Sequence, residues 1–243
     1  MLKLEHIAWD LPDGAGIIKD IDLAIPDGQL VVVTGPNGGG KTSLAKLIAG
    51  LSEPTSGRIL WNETDITRMD VTQRARLGVA YAFQQPVRFK GLTARDLLEL
   101  AAGHKLSDGE VCELLGKVGL CANEYMDREM NASLSGGEIK RIEIATVLAR
   151  RAQLSIFDEP EAGIDLWSFS RLVETFQDLR NEKSGTLLVI SHQERILSIA
   201  DTIVVIADGC VRCAGPKDEI LPNLLSDERT AKCPLGKEAS AHE

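Results

Sequence analysis

Residues 35–42 read GPNGGGKT, which fits the spacing G-x-x-x-x-G-K-[ST]. The stretch lies between a short apolar run, Leu30–Thr34, and a segment with Leu44, Leu47 and Ile48 at helical spacing. Glycines at those positions let backbone N–H groups point inward as a nest for phosphate oxygens, and a helix N-terminus adds a favourable dipole. Gly35, Pro36, Asn37, Gly38, Gly39 and Gly40 are the expected cradle, with Ser43 in the helical turn behind it. Lys41 is expected to reach the outer phosphates and the Thr42 hydroxyl to ligate Mg²⁺.

A second set of residues completes this chemistry. Leu154-Ser155-Ile156-Phe157-Asp158-Glu159 is an apolar strand that ends in two carboxylates. In an open α/β sheet such a strand delivers them to the C-terminal edge, where nucleotides sit. Asp158 is expected to hold Mg²⁺ directly or through water, and Glu159 to orient and deprotonate the attacking water. On its own, such a pair is usually a solvated loop or a helix cap; the phosphate loop upstream changes that reading. Gln84 and His192 also fall just past predicted strands, so they should reach the same edge. Gln84 can offer its amide oxygen to Mg²⁺ or to the attacking water, and His192 can donate to a γ-phosphate.

A second glycine turn, Ser135-Gly136-Gly137-Glu138, opens a helix with Ile139, Ile142, Ala145, Leu148 and Ala149 on one face. Free N–H groups and a Ser hydroxyl make it an anion site of its own. The ATP of this chain is already accounted for by Gly35–Thr42. The economical expectation is that the second turn binds the ATP of another copy, with two subunits packed head to tail.

The elements that must position these residues follow from the hydrophobic pattern. Leu2–Trp9 and Ile17–Ile25 alternate as antiparallel strands around a turn at Pro12-Asp13-Gly14. Buried strands are expected at Leu30–Thr34, Val79–Phe83, Leu154–Asp158, Leu187–Ser191 and Ile203–Ala207, separated by helices, as in a parallel α/β sheet. Between Gln84 and about Arg150 strand signals vanish, and Ala94–Ala102, Asp108–Val118 and Ser135–Arg151 read as an inserted helical subdomain. The expected division is 1–88 with 151–225 as nucleotide-binding core, 89–150 as helical subdomain, and 226–243 as a loose polar tail.

Composition narrows the partners. With 243 residues, 44% of them hydrophobic, there is enough for one or two cored domains. A net charge of −9 argues against a general nucleic-acid binder. No apolar run approaches the ~20 residues that span a bilayer, so no direct membrane insertion is expected. There is no signal-peptide layout, and five scattered cysteines argue against a disulfide framework; a cytosolic location is expected. Cys210 and Cys213 form a C-x-x-C, but residues three apart on a strand face opposite sides, which is poor for chelation. Cys233, in the tail, could still react or bridge.

The constellation of GPNGGGKT, Gln84, LSGGE at Leu134–Glu138, IFDEP at Ile156–Pro160, Ala162-Gly163-Ile164-Asp165 and His192 resembles the ATP-binding cassette (ABC) ATPases. The resemblance runs from about residue 1 to 222. It implies a P-loop NTPase of the ABC fold: a parallel core sheet, an N-terminal antiparallel β subdomain and an inserted helical subdomain. It also implies a homodimer with ATP and Mg²⁺ sandwiched between copies, Ser135 and Gly137 on the opposite subunit's γ-phosphate, and Asp165 at the seam. Trp9 stands near the family's adenine-stacking aromatic, and strand-core packing explains it equally well.

Subtype rests on finer details. Transporter ATPases most often carry Gln at the place of Glu138, but Ser135 and Glu138 form an S-x-x-E capping box, so Glu138 should fold back onto its own helix. QQPVRFKG at 84–91, SGGEIKR at 135–141 and SHQERIL at 191–197 are similar to the SufC-type ATPases of iron–sulfur cluster assembly. That likeness implies a SufB/SufD-like scaffold bound near Gln84–Gly91. Three features depart from it: Glu161-Ala162-Gly163 at the seam loop, Gly91–Leu97, which looks like the helical entry of ordinary transporters, and a helical insert that is compact beside many SufC-type chains. The alternative is the ATPase subunit of a membrane transporter. A nucleotide-gated clamp is disfavoured by the short insert and the acidic charge.

Overall fold

The computed structural model describes residues 1–230 except Ala132 and Ser184, with side chains to residue 225. The chain starts with strands β1 (Leu2–Asp10), β2 (Gly16–Ile25) and β3 (Leu30–Thr34), then helix α1 (Lys41–Ala49). Next come β4 (Ser56–Trp61), β5 (Thr64–Asp65), α2 (Val71–Arg76) and β6 (Val79–Ala82). Four helices follow: α3 (Ala94–Ala102), α4 (Asp108–Lys117), α5 (Ala122–Tyr125) and α6 (Gly136–Ala149). The remainder is β7 (Leu154–Asp158), α7 (Leu166–Glu182), β8 (Thr186–Ile190), α8 (Glu194–Leu197), β9 (Thr202–Ala207), β10 (Cys210–Pro216) and α9 (Lys217–Thr230).

Among the described residues, ten strands join in the order β5-β4-β1-β2-β10-β9-β3-β8-β7-β6. Strands β9, β3, β8, β7 and β6 run parallel. The N-terminal strands β1, β2, β4 and β5 pair antiparallel. This is the α/β architecture expected, with two layers of strands meeting through a short parallel contact at Cys210 and Asp20.

Strands β3, β7 and β8 are buried at every residue, because helices cover both faces of a parallel sheet. Alternation divides β3 between two cores. Leu30 and Val32 pack with the inserted helices and α7, while Val31 and Val33 pack with α1 and the antiparallel strands. The inserted helices thus share one apolar cluster with the sheet, through Ala94, Leu97, Val111, Leu115 and Ile139.

Sequence patterning missed β4, β5 and α2, which are short and amphipathic. In α2 lies Arg74, 1% exposed, whose guanidinium donates to the carbonyls of Leu47, Ile48, Thr67 and Met69. Leu47 and Ile48 end α1, so a buried cation sits where the helix dipole is negative. Burial pulls its pKa down to about 10. Arg74→Ala leaves those carbonyls unpaired and is expected to destabilise the chain by about 3 kcal/mol. A thermal melt should fall by roughly 6–12 °C; a change under about 2 °C would contradict this account.

Two expectations need revision. A register shift lies between Val211 and Cys213, so Cys210 and Cys213 pair with Ala207 and Val205 and share a face. The alternation argument against a joint site at these cysteines therefore fails. Both are free thiols, and neither falls in a cluster of three candidate ligands among the described residues. Helix α9 extends to Thr230, so the first residues of the expected tail, 226–230, are helical. Residues 231–243, with Cys233, lie outside the described residues.

Candidate functional site

The phosphate loop leaves β3 and enters α1 with Gly35, Gly38 and Gly40 at φ of 134°, 78° and 101°. At Gly35 a Cβ would stand 2.0 Å from the Ile206 carbonyl oxygen, and at Gly39 2.8 Å from the same atom. The loop is thus pressed against β9, and side chains there would force it off that strand. Lys41 is 7% exposed, and its ammonium donates to the carbonyls of Gly35 and Pro36 at 2.8 and 2.9 Å. Burial lowers its pKa, and the charges of Glu159 and Asp158 oppose that shift.

Asp158 ends β7 fully buried and is held on both oxygens. Thr42 Oγ1 donates to one at 3.0 Å, and the Tyr81 hydroxyl to the other at 2.8 Å. Burial raises the Asp158 pKa, and these two hydroxyls work against it. Glu159 takes a positive φ of 46°, which turns its side chain off the strand line. Gln84 Nε2 donates to Glu159 Oε2 at 2.8 Å. His192 follows β8 and is exposed.

A cleft of about 450 Å³ is lined by Ile17, Asn37, Gly38, Gly39, Gly40, Lys41, Thr42, Ser43, Gln84, Glu159 and His192. It gathers residues from loops after β3, β6, β7 and β8, whose C-terminal ends meet on one edge. Trp9 is not part of its lining and packs partly buried against the antiparallel core.

The protein-family model described as "ABC transporter" matches residues 18–162, more than half of the chain. The chain belongs to this family. It is an ABC-type ATPase, with ATP and Mg²⁺ as its substrate and metal. The residues present suit that pair: a glycine cradle with a buried ammonium for phosphates, and hard oxygen donors on Thr42 and Asp158 for the cation.

Among similar proteins is the uncharacterized ABC transporter ATP-binding protein MJ0035 of Methanocaldococcus jannaschii, 37% identical over 212 residues, covering 84% of each chain. The lipopolysaccharide export system ATP-binding protein LptB of Acidithiobacillus ferridurans is 34% identical over 210 residues, covering 84% of this chain and 86% of that one. The dimeric ATP-binding cassette MJ0796, in a post-hydrolysis state bound to ADP and Pi, shares the fold with a TM-score of 0.81. It is 24% identical, and the match covers 89% of this chain and 99% of that one. CbiO1 from Clostridium perfringens, part of the transporter complex cbiONQ, has a TM-score of 0.75 at 26% identity, covering 94% and 93%.

The second glycine turn of this ABC ATPase stands outside the cleft. Ser135 is the N-cap of α6, and Gly136 opens onto free space, with nothing within 4 Å of an added Cβ. At Gly137 a Cβ would come 2.4 Å from the Gly163 carbonyl oxygen, so this turn rests on the loop that leads to Asp165. Asp165 caps α7 by accepting from the N–H groups of Trp167 and Ser168.

Glu138 folds back as its capping box predicts. It accepts from the Ser135 N–H at 2.6 Å and from the Tyr125 hydroxyl. The Tyr125 bond first, then Ser135, hold its carboxyl down to about 2, from 4.5. A depressed carboxyl contributes stability above its unfolded pKa, lost as pH falls through the folded one. The chain should therefore lose this contribution between pH about 4.5 and about 2. Urea melts across that window should show a smaller loss for Glu138→Gln than for the unaltered chain; equal slopes would contradict it. Sequence reasoning found Glu138 but missed Tyr125, Tyr81 and Lys140, whose partners lie 13, 77 and 57 residues away.

Proposed function

We propose that this chain is the ATP-hydrolysing subunit of a membrane ABC transporter, acting as a dimer that closes around two MgATP. What carries the dimer is the separation of two anion-ready sites. One lies in the cleft with Lys41 and Thr42, and the other, Ser135–Gly137, lies on an open turn that does not line it. A second copy could bring its turn to the first copy's nucleotide, and Asp165 would then stand at the seam.

In this reading Lys41 and the loop amides hold the phosphates, while Thr42, Asp158 and the Gln84 amide oxygen would hold Mg²⁺. The metal would supply charge neutralisation at the phosphates when bound. Glu159 takes the proton of the attacking water, Gln84 sets the Glu159 carboxylate, and His192 donates to the γ-phosphate. Closure pushes the partner, and hydrolysis resets it.

A partner surface is available. Leu51, Val71, Phe83, Ala101, Val147 and Arg150 line a groove of about 230 Å³ between sheet and inserted helices. Phe83 in this groove, and Val87, Phe89 and Leu100 elsewhere on the surface, are large apolar side chains left exposed. The transport names of the relatives favour a transmembrane partner in this groove, with the ATPase at the cytoplasmic face. No described helix is long and apolar enough to cross a membrane.

A second reading, SufC-like iron–sulfur cluster assembly on a SufB/SufD-like scaffold near Gln84–Gly91, rests on the 84–91, 135–141 and 191–197 segments. Purifying the tagged protein from its own cells, with and without detergent, separates the two. A multi-span membrane protein at fixed stoichiometry supports the transporter. A soluble partner able to hold an iron–sulfur cluster would overturn it in favour of assembly.

A further inference from the structure

Helix α6 buries an ionisable pair among apolar neighbours. Its inward positions include Ile139, Ile142, Ile144, Ala145 and Val147, yet Lys140 is 0% exposed and Glu143 stands beside it. Lys140 Nζ lies 3.9 Å from Glu143 Oε2, an oxygen with no hydrogen-bond partner. The pair is spent on backbone at two places, Phe83–Gln84 and Asp158. Lys140 donates to the Phe83 carbonyl, and at 3.3 Å to those of Gln84 and Asp158. Glu143 Oε1 accepts from the Phe83 N–H at 3.0 Å.

Phe83 is thus gripped at both its N–H and its C=O by two residues one helical turn apart. The chain direction at Phe83 decides where the Gln84 side chain goes, and Gln84 meets Glu159 at 2.8 Å. The third acceptor, the Asp158 carbonyl, belongs to the peptide that carries Glu159. Holding a buried Lys and a largely buried Glu here sacrifices their solvation, and an apolar pair could fill the space. What an apolar pair cannot do is fix the backbone of two loops at once.

We propose that Lys140 and Glu143 are positioning residues for the Gln84–Glu159 pair. Through them α6, capped by Ser135, holds the loop at Gln84 against the end of β7. The proposal rests on the roles given above to Gln84 and Glu159.

The test uses the full chain and compares Lys140→Met, Glu143→Leu and Glu143→Gln, the last keeping a carbonyl acceptor for Phe83. Two quantities are read: amide hydrogen exchange along the chain, and kcat and KM for MgATP. In Lys140→Met and Glu143→Leu, exchange at Phe83–Gln84 should rise by about tenfold or more while α1 is unchanged. Their kcat should fall about 10- to 100-fold with KM within about threefold, and Glu143→Gln should stay within about threefold on both.

Unchanged exchange at Phe83–Gln84 would overturn the clamp, as would loosening spread evenly over the chain. Local loosening with unchanged kcat would overturn its positioning role. If Lys140→Met fails to fold, the Glu143 variants decide on the same criteria. An unaltered chain that hydrolyses no ATP counts against the proposed function; exchange at Phe83–Gln84 then decides the clamp by itself.

Discussion

Glu159→Gln should lower ATP hydrolysis by about 10²- to 10⁴-fold while leaving ATP binding close to that of the unaltered chain. The substitution is nearly isosteric, so the loop holding the phosphates keeps its geometry, and Gln84 keeps an acceptor at Oε1. What is lost is the base. Glu159 is suited to that role because it stands in the cleft with Lys41 and His192, and its neighbour Asp158 is occupied by Thr42 and Tyr81. With hydrolysis blocked, closed dimers should accumulate at saturating MgATP and appear at twice the monomer mass in size-exclusion chromatography with light scattering. A variant that hydrolyses at the unaltered rate would remove Glu159 from the base role. One that stays monomeric with MgATP bound would count against the sandwich.

Ser135→Arg tests the same dimer from its other half. The side chain of Ser135 accepts from the Glu138 N–H at the start of α6, on the open turn outside the cleft. An arginine there would fill the space that another copy's triphosphate must enter, yet it is remote from this copy's own phosphate loop. Nucleotide binding by the monomer should hold within about threefold, whereas dimer-dependent hydrolysis should fall by about 10²-fold or more. Loss of ATP binding by the monomer would mean that Ser135 serves its own subunit's nucleotide, and the head-to-tail arrangement would have to be abandoned. Combining Ser135→Arg with Glu159→Gln should abolish the trapped dimer.

Much of this chemistry was legible in the chain because it is local. Phosphate loops, capping boxes and strands that end in carboxylates are written over fewer than about ten residues, and their physics needs no distant partner. GPNGGGKT, the S-x-x-E cap of α6 and the mostly apolar, fully buried β3, β7 and β8 are of this kind, and the structure has them where the pattern puts them. The β10 bulge shows the limit: period-two alternation assumes an unbroken ladder, and one extra residue after Val211 reverses the face of Cys213.

What the sequence determined by itself is which groups can do the chemistry and on which elements they ride. The tertiary structure alone decided how they are held. Tyr81 reaches Asp158 because β6 and β7 are neighbours in register, with Tyr81 paired to Ile156. Arg74 ends α1 because a later helix folds beneath it. Lys140 closes on Phe83 and Asp158 because α6 crosses the ends of both strands. In each case a buried donor or acceptor had to find its partner across the fold, since leaving it unpaired away from water costs more than the bond itself returns.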